Sequence, residues 1–133
     1  MSTFLLEIAT PEKLVFKDEV QEIIVRTTEG DVAILKGHTN FAANLDIGEM
    51  RIKLADGSFK SAAVGEGFIS VITSDVSVIA VKFEWKEDID LKWAEDTVAE
   101  LTARLATNLD DETRDRTMRK LKRAQNRLKI ISK

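Results

Sequence analysis

The apolar residues of this chain change their spacing once, and that change divides the molecule. Up to about Val81, short stretches rich in Val, Ile and Phe recur between turn residues, which is the punctuation of a β-sandwich or barrel. After Asp90 the spacing becomes helical: Leu91, Ala94, Val98, Leu101 and Leu105 lie 3, 4, 3 and 4 residues apart and form one stripe. Every glycine and the only proline lie at or before Gly67, on the β side of the divide.

Strands are expected over residues 4–9, 13–16, 20–27, 32–35, 49–54, 59–64, 68–72 and 76–81. In Met50-Arg51-Ile52-Lys53-Leu54 the alternation is strict, so one face can be buried while the other is wetted. Asp56-Gly57 then supplies a two-residue hairpin turn, and Gly65-Glu66-Gly67 reads as a break between two strands. Asp88 or Asp90 is the expected N-cap of the first helix. A second helix follows Asp110-Asp111-Glu112, whose acids suit the positive end of a helix dipole, and its stripe is Met118, Leu121, Ala124, Leu128 and Ile131. The short connection Ala106-Thr107-Asn108-Leu109 favours antiparallel packing. The expected architecture is a mainly β N-terminal sandwich or barrel over residues 1–86, followed by a C-terminal antiparallel α-helical hairpin over 87–133.

Charge follows the same division. The formal net charge of −3 conceals −8 over residues 1–109 and +5 over residues 110–133, whose basic side chains all lie from Arg114 onward. The lack of cysteine excludes a disulfide framework, a thiol nucleophile and thiolate metal sites. No apolar run reaches the roughly 18–20 residues that cross a bilayer, and Met1-Ser2-Thr3-Phe4 lacks the basic start of a secretory signal. A soluble, intracellular chain is therefore expected.

Few residues carry chemistry. His38 is the only histidine, so it has no second imidazole for a metal and no identifiable triad, and it reads as a loop contact rather than a catalyst. Glu84, Glu87, Asp88 and Asp90 form an acidic cluster without the spacing of a calcium loop; helix capping and a solvated connection account for it. Trp85 and Trp93 flank the helix entry, where aromatic rings complete a core or anchor an interface. The basic last helix is open to three readings: a solvated face, a surface for an acidic protein partner, or a track for nucleic-acid phosphates. The last would make the chain a nucleic-acid-binding adaptor, although no zinc-finger pattern or RNA-recognition aromatics accompany the helix.

The segment Glu29-Gly30-Asp31-Val32-Ala33-Ile34-Leu35-Lys36-Gly37-His38 closely resembles the epsilon subunit family of F-type ATP synthases. The resemblance continues through Ile47-Gly48-Glu49-Met50-Arg51-Ile52, Gly65-Glu66-Gly67-Phe68-Ile69-Ser70-Val71, Asp75-Val76-Ser77-Val78-Ile79-Ala80 and Glu87-Asp88-Ile89-Asp90, and ends at Leu121-Lys122-Arg123-Ala124-Gln125-Asn126-Arg127-Leu128. It implies a non-catalytic rotor subunit whose sandwich docks on the gamma subunit and the c-subunit ring, as part of a complex at the cytoplasmic face of the cell membrane. The chain would be peripheral there, with no direct membrane insertion and no nucleic acid. The segment over residues 29–41 would face the c ring, with Asp31 and His38 as contacts. The helices would switch between a hairpin folded on the sandwich and an extended form that reaches the catalytic alpha and beta subunits and inhibits ATP hydrolysis. Arg114, Arg116, Arg119, Lys120, Lys122, Arg123 and Arg127 would favour acidic segments of those subunits. Some members bind ATP in the folded hairpin, and Glu84, Asp90, Arg123 and Arg127 match positions of that site. Trp93 replaces the family's arginine, which removes a charge-assisted hydrogen bond of about 1.5–3 kcal/mol. No cofactor is required on this reading, and ATP binding is expected to be weak or absent.

Overall fold

The computed structural model describes residues 2–132. Met1 and Lys133, the outermost residues of the two expected segments, lie outside the described residues. The strands are β1 (Phe4–Ala9), β2 (Leu14–Thr27), β3 (Gly30–Leu35), β4 (Phe41–Leu45), β5 (Gly48–Leu54), β6 (Phe59–Ile72) and β7 (Asp75–Trp85). A 3-10 turn, Lys86–Asp88, leads to α1 (Leu91–Leu105) and α2 (Asp111–Ile131). The β-then-α order and the helical hairpin are as expected.

Hydrogen bonding closes the strands on themselves. β1 pairs with β7, β7 with β6, β6 with β5, β5 with β2 and β2 with β1, while β4 lies along β6 and β3 forms an outer edge on β2. The two long strands make this circuit possible, because each passes from one layer of the sandwich to the other. Both were expected as separate pieces. Lys17, Asp18 and Glu19 interrupt the apolar pattern of β2, yet they pair with Glu7, Leu6 and Leu5 of β1 and keep their side chains exposed.

Gly65-Glu66-Gly67 likewise does not break β6: Gly65 pairs with Lys82 and Gly67 with Ala80. The backbone twists there instead. Gly67 has φ +155, and a Cβ at that position would lie 2.2 Å from the Ile79 carbonyl oxygen, so only glycine lets the strands approach this closely. β4 was not expected at all. Phe-Ala-Ala-Asn-Leu has no strong β pattern, and it is extended because it finds partners along β6 from Val71 to Gly67.

The core is the inward side of these alternations. Leu6, Ile8, Val20, Ile23, Met50, Ile52, Ile69 and Val71 are buried between the layers. Among the helices, Asp90 is the N-cap, its carboxylate accepting from Trp93 N at 3.0 Å. The expected stripe of α1 buries Ala94 and Leu101 but leaves Leu91 exposed. On α2 the buried line runs through Thr117, Ala124 and Ile130, so Met118 points to solvent. The buried positions shift by one residue at the two ends, from Met118 to Thr117 and from Ile131 to Ile130, while Ala124 is buried as expected, and the Thr117 hydroxyl is satisfied by donating to Thr113 O at 2.7 Å. Among the described residues no helix is long and apolar enough to cross a membrane.

Candidate functional site

The most developed polar arrangement is the seam between α2 and the sandwich. Lys122, Arg123, Asn126 and Arg127 occupy neighbouring rows of one helix face, because residues three and four apart on a helix lie side by side. Each meets a different part of the β domain. Lys122 Nζ lies 3.7 Å from Asp46 Oδ1, Arg123 donates to Glu66 at 2.6 Å, Asn126 donates to Gly48 O at 2.9 Å, and Arg127 Nε donates to Glu84 at 2.8 Å.

These contacts differ in worth. The Lys122–Asp46 pair is long and solvent-exposed, so it contributes little. The Arg127–Glu84 pair is the best shielded, with side chains 17% and 34% exposed, and Arg123–Glu66 is similar. Charge-assisted hydrogen bonds in such settings are the stronger kind. Glu66 is presented to Arg123 from a left-handed backbone position, φ 61, which costs a non-glycine residue roughly 1 kcal/mol or more. Gly65 beside it leaves the space that Arg123 fills: a Cβ there would be 3.1 Å from Arg123 Cδ. Arg123 Nε is buried with no hydrogen-bond partner, and the guanidinium is held in the seam through Nη2.

The entry to the helices is pinned as well. Lys60 donates to Glu87 at 2.6 Å and lies 4.3 Å from the centre of the Trp85 ring. The Glu87 carboxyl is held below the usual carboxylate range, first by the Lys60 hydrogen bond. Trp85 also meets Phe83 and Phe16 edge-on, which completes the core as one of its expected roles. Trp93 is 52% exposed, and Arg127 Cζ lies 5.3 Å from its ring centre.

Thus Glu84, Trp93, Arg123 and Arg127 are brought to one seam, with Asp90 beside them as the helix cap. The acidic cluster is dispersed into separate tasks, and among the described residues no three His, Cys, Asp or Glu side chains are placed to hold a metal ion. Both arginines are already paired, and the cavity bordered by Gly65, Lys82, Arg123, Asn126 and Arg127 encloses about 10 Å³, room for roughly one water.

The other basic residues of α2 do different things. Arg114 donates to Leu105 O and Thr107 O, closing the connection between the helices, and Arg116 pairs with Glu112 one turn away. Arg119 and Lys120 are exposed. Asp31 and His38 are not together. Asp31 is the second residue of β3, where it takes a forked pair of bonds from Arg26 at 2.9 and 3.4 Å, and this holds the Arg26 proton more firmly than usual. His38 lies beyond the other end of that strand, its ring edge-on to Phe41 and its Nδ1 2.8 Å from Thr39 O. Strand geometry puts roughly 13 Å between the positions of Asp31 and Leu35 alone. The two share an exposed edge rather than one pocket.

Sequence reasoning did not single out Asp46, Glu66 or Asn126 as members of the seam. Glu66 had a readable signal, a charged residue set between two glycines. Asp46 and Asn126 had none, since their roles depend on where α2 comes to rest.

Residues 3–86 match the family model described as ATP synthase, Delta/Epsilon chain, beta-sandwich domain. The chain is 38% identical over 134 residues to the ATP synthase epsilon chain of Ruminococcus albus, covering 100% of this chain and 99% of that one. It is 42% identical over 107 residues to the ATP synthase epsilon chain of Alkaliphilus oremlandii, covering 80% and 79%. Its fold is similar to a chain in the cryo-EM structure of Euglena gracilis mitochondrial ATP synthase, OSCP/F1/c-ring in rotational state 1, with a TM-score of 0.85, 21% identity, and coverage of 95% of this chain and 79% of that one. A sandwich matched over its whole length, a helical hairpin behind it, and a relative aligned from end to end agree: the chain belongs to the epsilon chain family of ATP synthases.

Proposed function

We propose that the chain is the epsilon subunit of an F-type rotary complex, in which it couples ion translocation to ATP synthesis and restrains ATP hydrolysis through its helical hairpin. The sandwich binds the gamma subunit and the c ring, and the complex holds it peripherally at the cytoplasmic face of the cell membrane. The exposed edge from Asp31 to His38 faces the c ring. The chain catalyses nothing itself.

The observation that carries this reading is the polar seam. α2 rests on β5, β6 and the 3-10 turn, and its basic face is fastened there by ion pairs and one hydrogen bond from the Asn126 side chain. A contact of this kind stabilises docking by a few kcal/mol and can be exchanged for acidic groups elsewhere, so the hairpin is a releasable arm. Arg123 and Arg127 hold the folded arm. Arg119 and Lys120, exposed in this form, are available to the alpha and beta subunits once the arm is extended. Because each seam arginine already has a glutamate partner, the arm closes without ATP.

Co-purification tests the assignment. A tagged copy of the full chain, expressed in its host, should retain gamma and the remaining rotary subunits through a high-salt wash. Retention of salt-sensitive RNA or DNA in place of those subunits would establish the nucleic-acid adaptor reading instead.

A further inference from the structure

Between β4 and β5 the chain turns a corner at Asp46, Ile47 and Gly48, and this corner is gripped from two sides. On one side is Arg26 of β2. Its carbonyl accepts from Asp46 N at 3.0 Å, and its side-chain stem lies across Gly48, where a Cβ would be 2.8 Å from Arg26 Cβ and 3.1 Å from Cδ. On the other side is α2, with Asn126 donating to Gly48 O at 2.9 Å and Lys122 near the Asp46 carboxylate. Arg26 is in turn fixed by its fork on Asp31, at the start of the edge strand β3. Arg26, Asp31, Gly48 and Asn126 all border one cavity of about 220 Å³.

We infer that this corner couples the edge strand β3 to the docking of α2. The carboxylate of Asp31 keeps the Arg26 stem flat on Gly48, which sets the carbonyl that Asn126 binds. A partner that engages Asp31 competes for Arg26, lets the stem lift from Gly48, and loosens the seat of α2. Contact at the edge and release of the arm are then linked, and by reciprocity release of the arm weakens contact at the edge. The direction of signalling rests on the proposed function, in which the c ring is the partner at Asp31. The coupling itself is a property of the chain alone.

A double-mutant cycle on the full chain, read by hydrogen exchange of the α2 amides, separates the two. Asp31→Asn removes the charge without changing shape, and Asn126→Ala removes the bond to Gly48. Asp31→Asn should lower α2 protection about threefold or more in the native background and leave it nearly unchanged when Asn126→Ala is present. Arg26→Lys, which keeps the charge but loses the fork, should behave like Asp31→Asn, and amides of the buried strands serve as the folding control. Equal factors in both backgrounds, or no change in either, would overturn the coupling. Since no partner is present, this outcome is independent of whether gamma co-purifies.

Discussion

Arg127→Glu opens the hairpin and leaves the sandwich folded. The native guanidinium bonds Glu84 at 2.8 Å in the best shielded pair of the seam and also covers the Trp93 ring. Reversal removes a charge-assisted bond and sets two carboxylates against each other where water cannot fully screen them. The combined loss is about 2–4 kcal/mol, or roughly 30- to 1,000-fold in the docking equilibrium. Freed from the sandwich, a hairpin with a narrow apolar stripe is of marginal stability, so the α2 amides should lose protection by that order. Amides of β1, β6 and β7 should keep theirs. The swap Glu84→Arg with Arg127→Glu should restore most of the loss. In the native chain, saturating ATP should leave α2 protection unchanged, because Glu66 and Glu84 already pair with the seam arginines. Strong protection of α2 by ATP would show that the seam reopens around it.

Gly67→Ala acts on the other half of the molecule. The new methyl would sit 2.2 Å from the Ile79 carbonyl oxygen and 2.9 Å from Ala80 Cα, and φ +155 is itself strained for any residue with a side chain. Neither neighbour is a flexible side chain, so β6 and β7 must move apart along their shared ladder. A loss of about 2–4 kcal/mol follows, which lowers the thermal midpoint of a domain this size by roughly 10–25 °C. Gly57→Ala is the control. Its φ is +89, but nothing lies within 4 Å of a Cβ there, so only the backbone term applies, at about 1 kcal/mol. Equal midpoints for the two variants would show that the close approach at Gly67 carries no weight.

Much of this architecture could be read from spacing. Period two located six of the seven strands in whole or in part, and the change of period located both helices, because each pattern reports which side of an element is buried. Strand continuity was harder. Lys17-Asp18-Glu19 and Gly65-Glu66-Gly67 look like interruptions, but pairing with β1 and β7 supplies what local propensity does not. β4 depends on that tertiary supply for its existence. Helix rotation was misread at Met118, which is exposed while its neighbour Thr117 is buried; Ala124, a member of the expected stripe, is buried as expected.

The candidate site divides in the same way. Glu84, Asp90, Arg123 and Arg127 were picked out by resemblance as positions of a nucleotide site; the structure pairs Arg127 with Glu84, pairs Arg123 with Glu66 and uses Asp90 as a helix cap. Their basic companions on α2 looked uniform in sequence, yet Arg114 closes the interhelical connection, Arg116 pairs within its helix, and only Lys122, Arg123 and Arg127 reach acids on the sandwich. Charge counted along a chain does not say which partner each group has. The opposite signs of the two segments find their meaning in three specific pairs.

The central claim is that the hairpin is an arm whose release restrains hydrolysis. The chain has no native cysteine, so Asp46→Cys and Lys122→Cys can be joined by a short thiol-reactive cross-linker that holds α2 on the sandwich. The decisive measurement is ATP hydrolysis by the reconstituted complex, before and after joining. The locked complex should hydrolyse ATP as fast as one whose epsilon chain lacks residues 91–133, while the unjoined complex remains inhibited. Inhibition that persists in full with the hairpin locked would contradict the account.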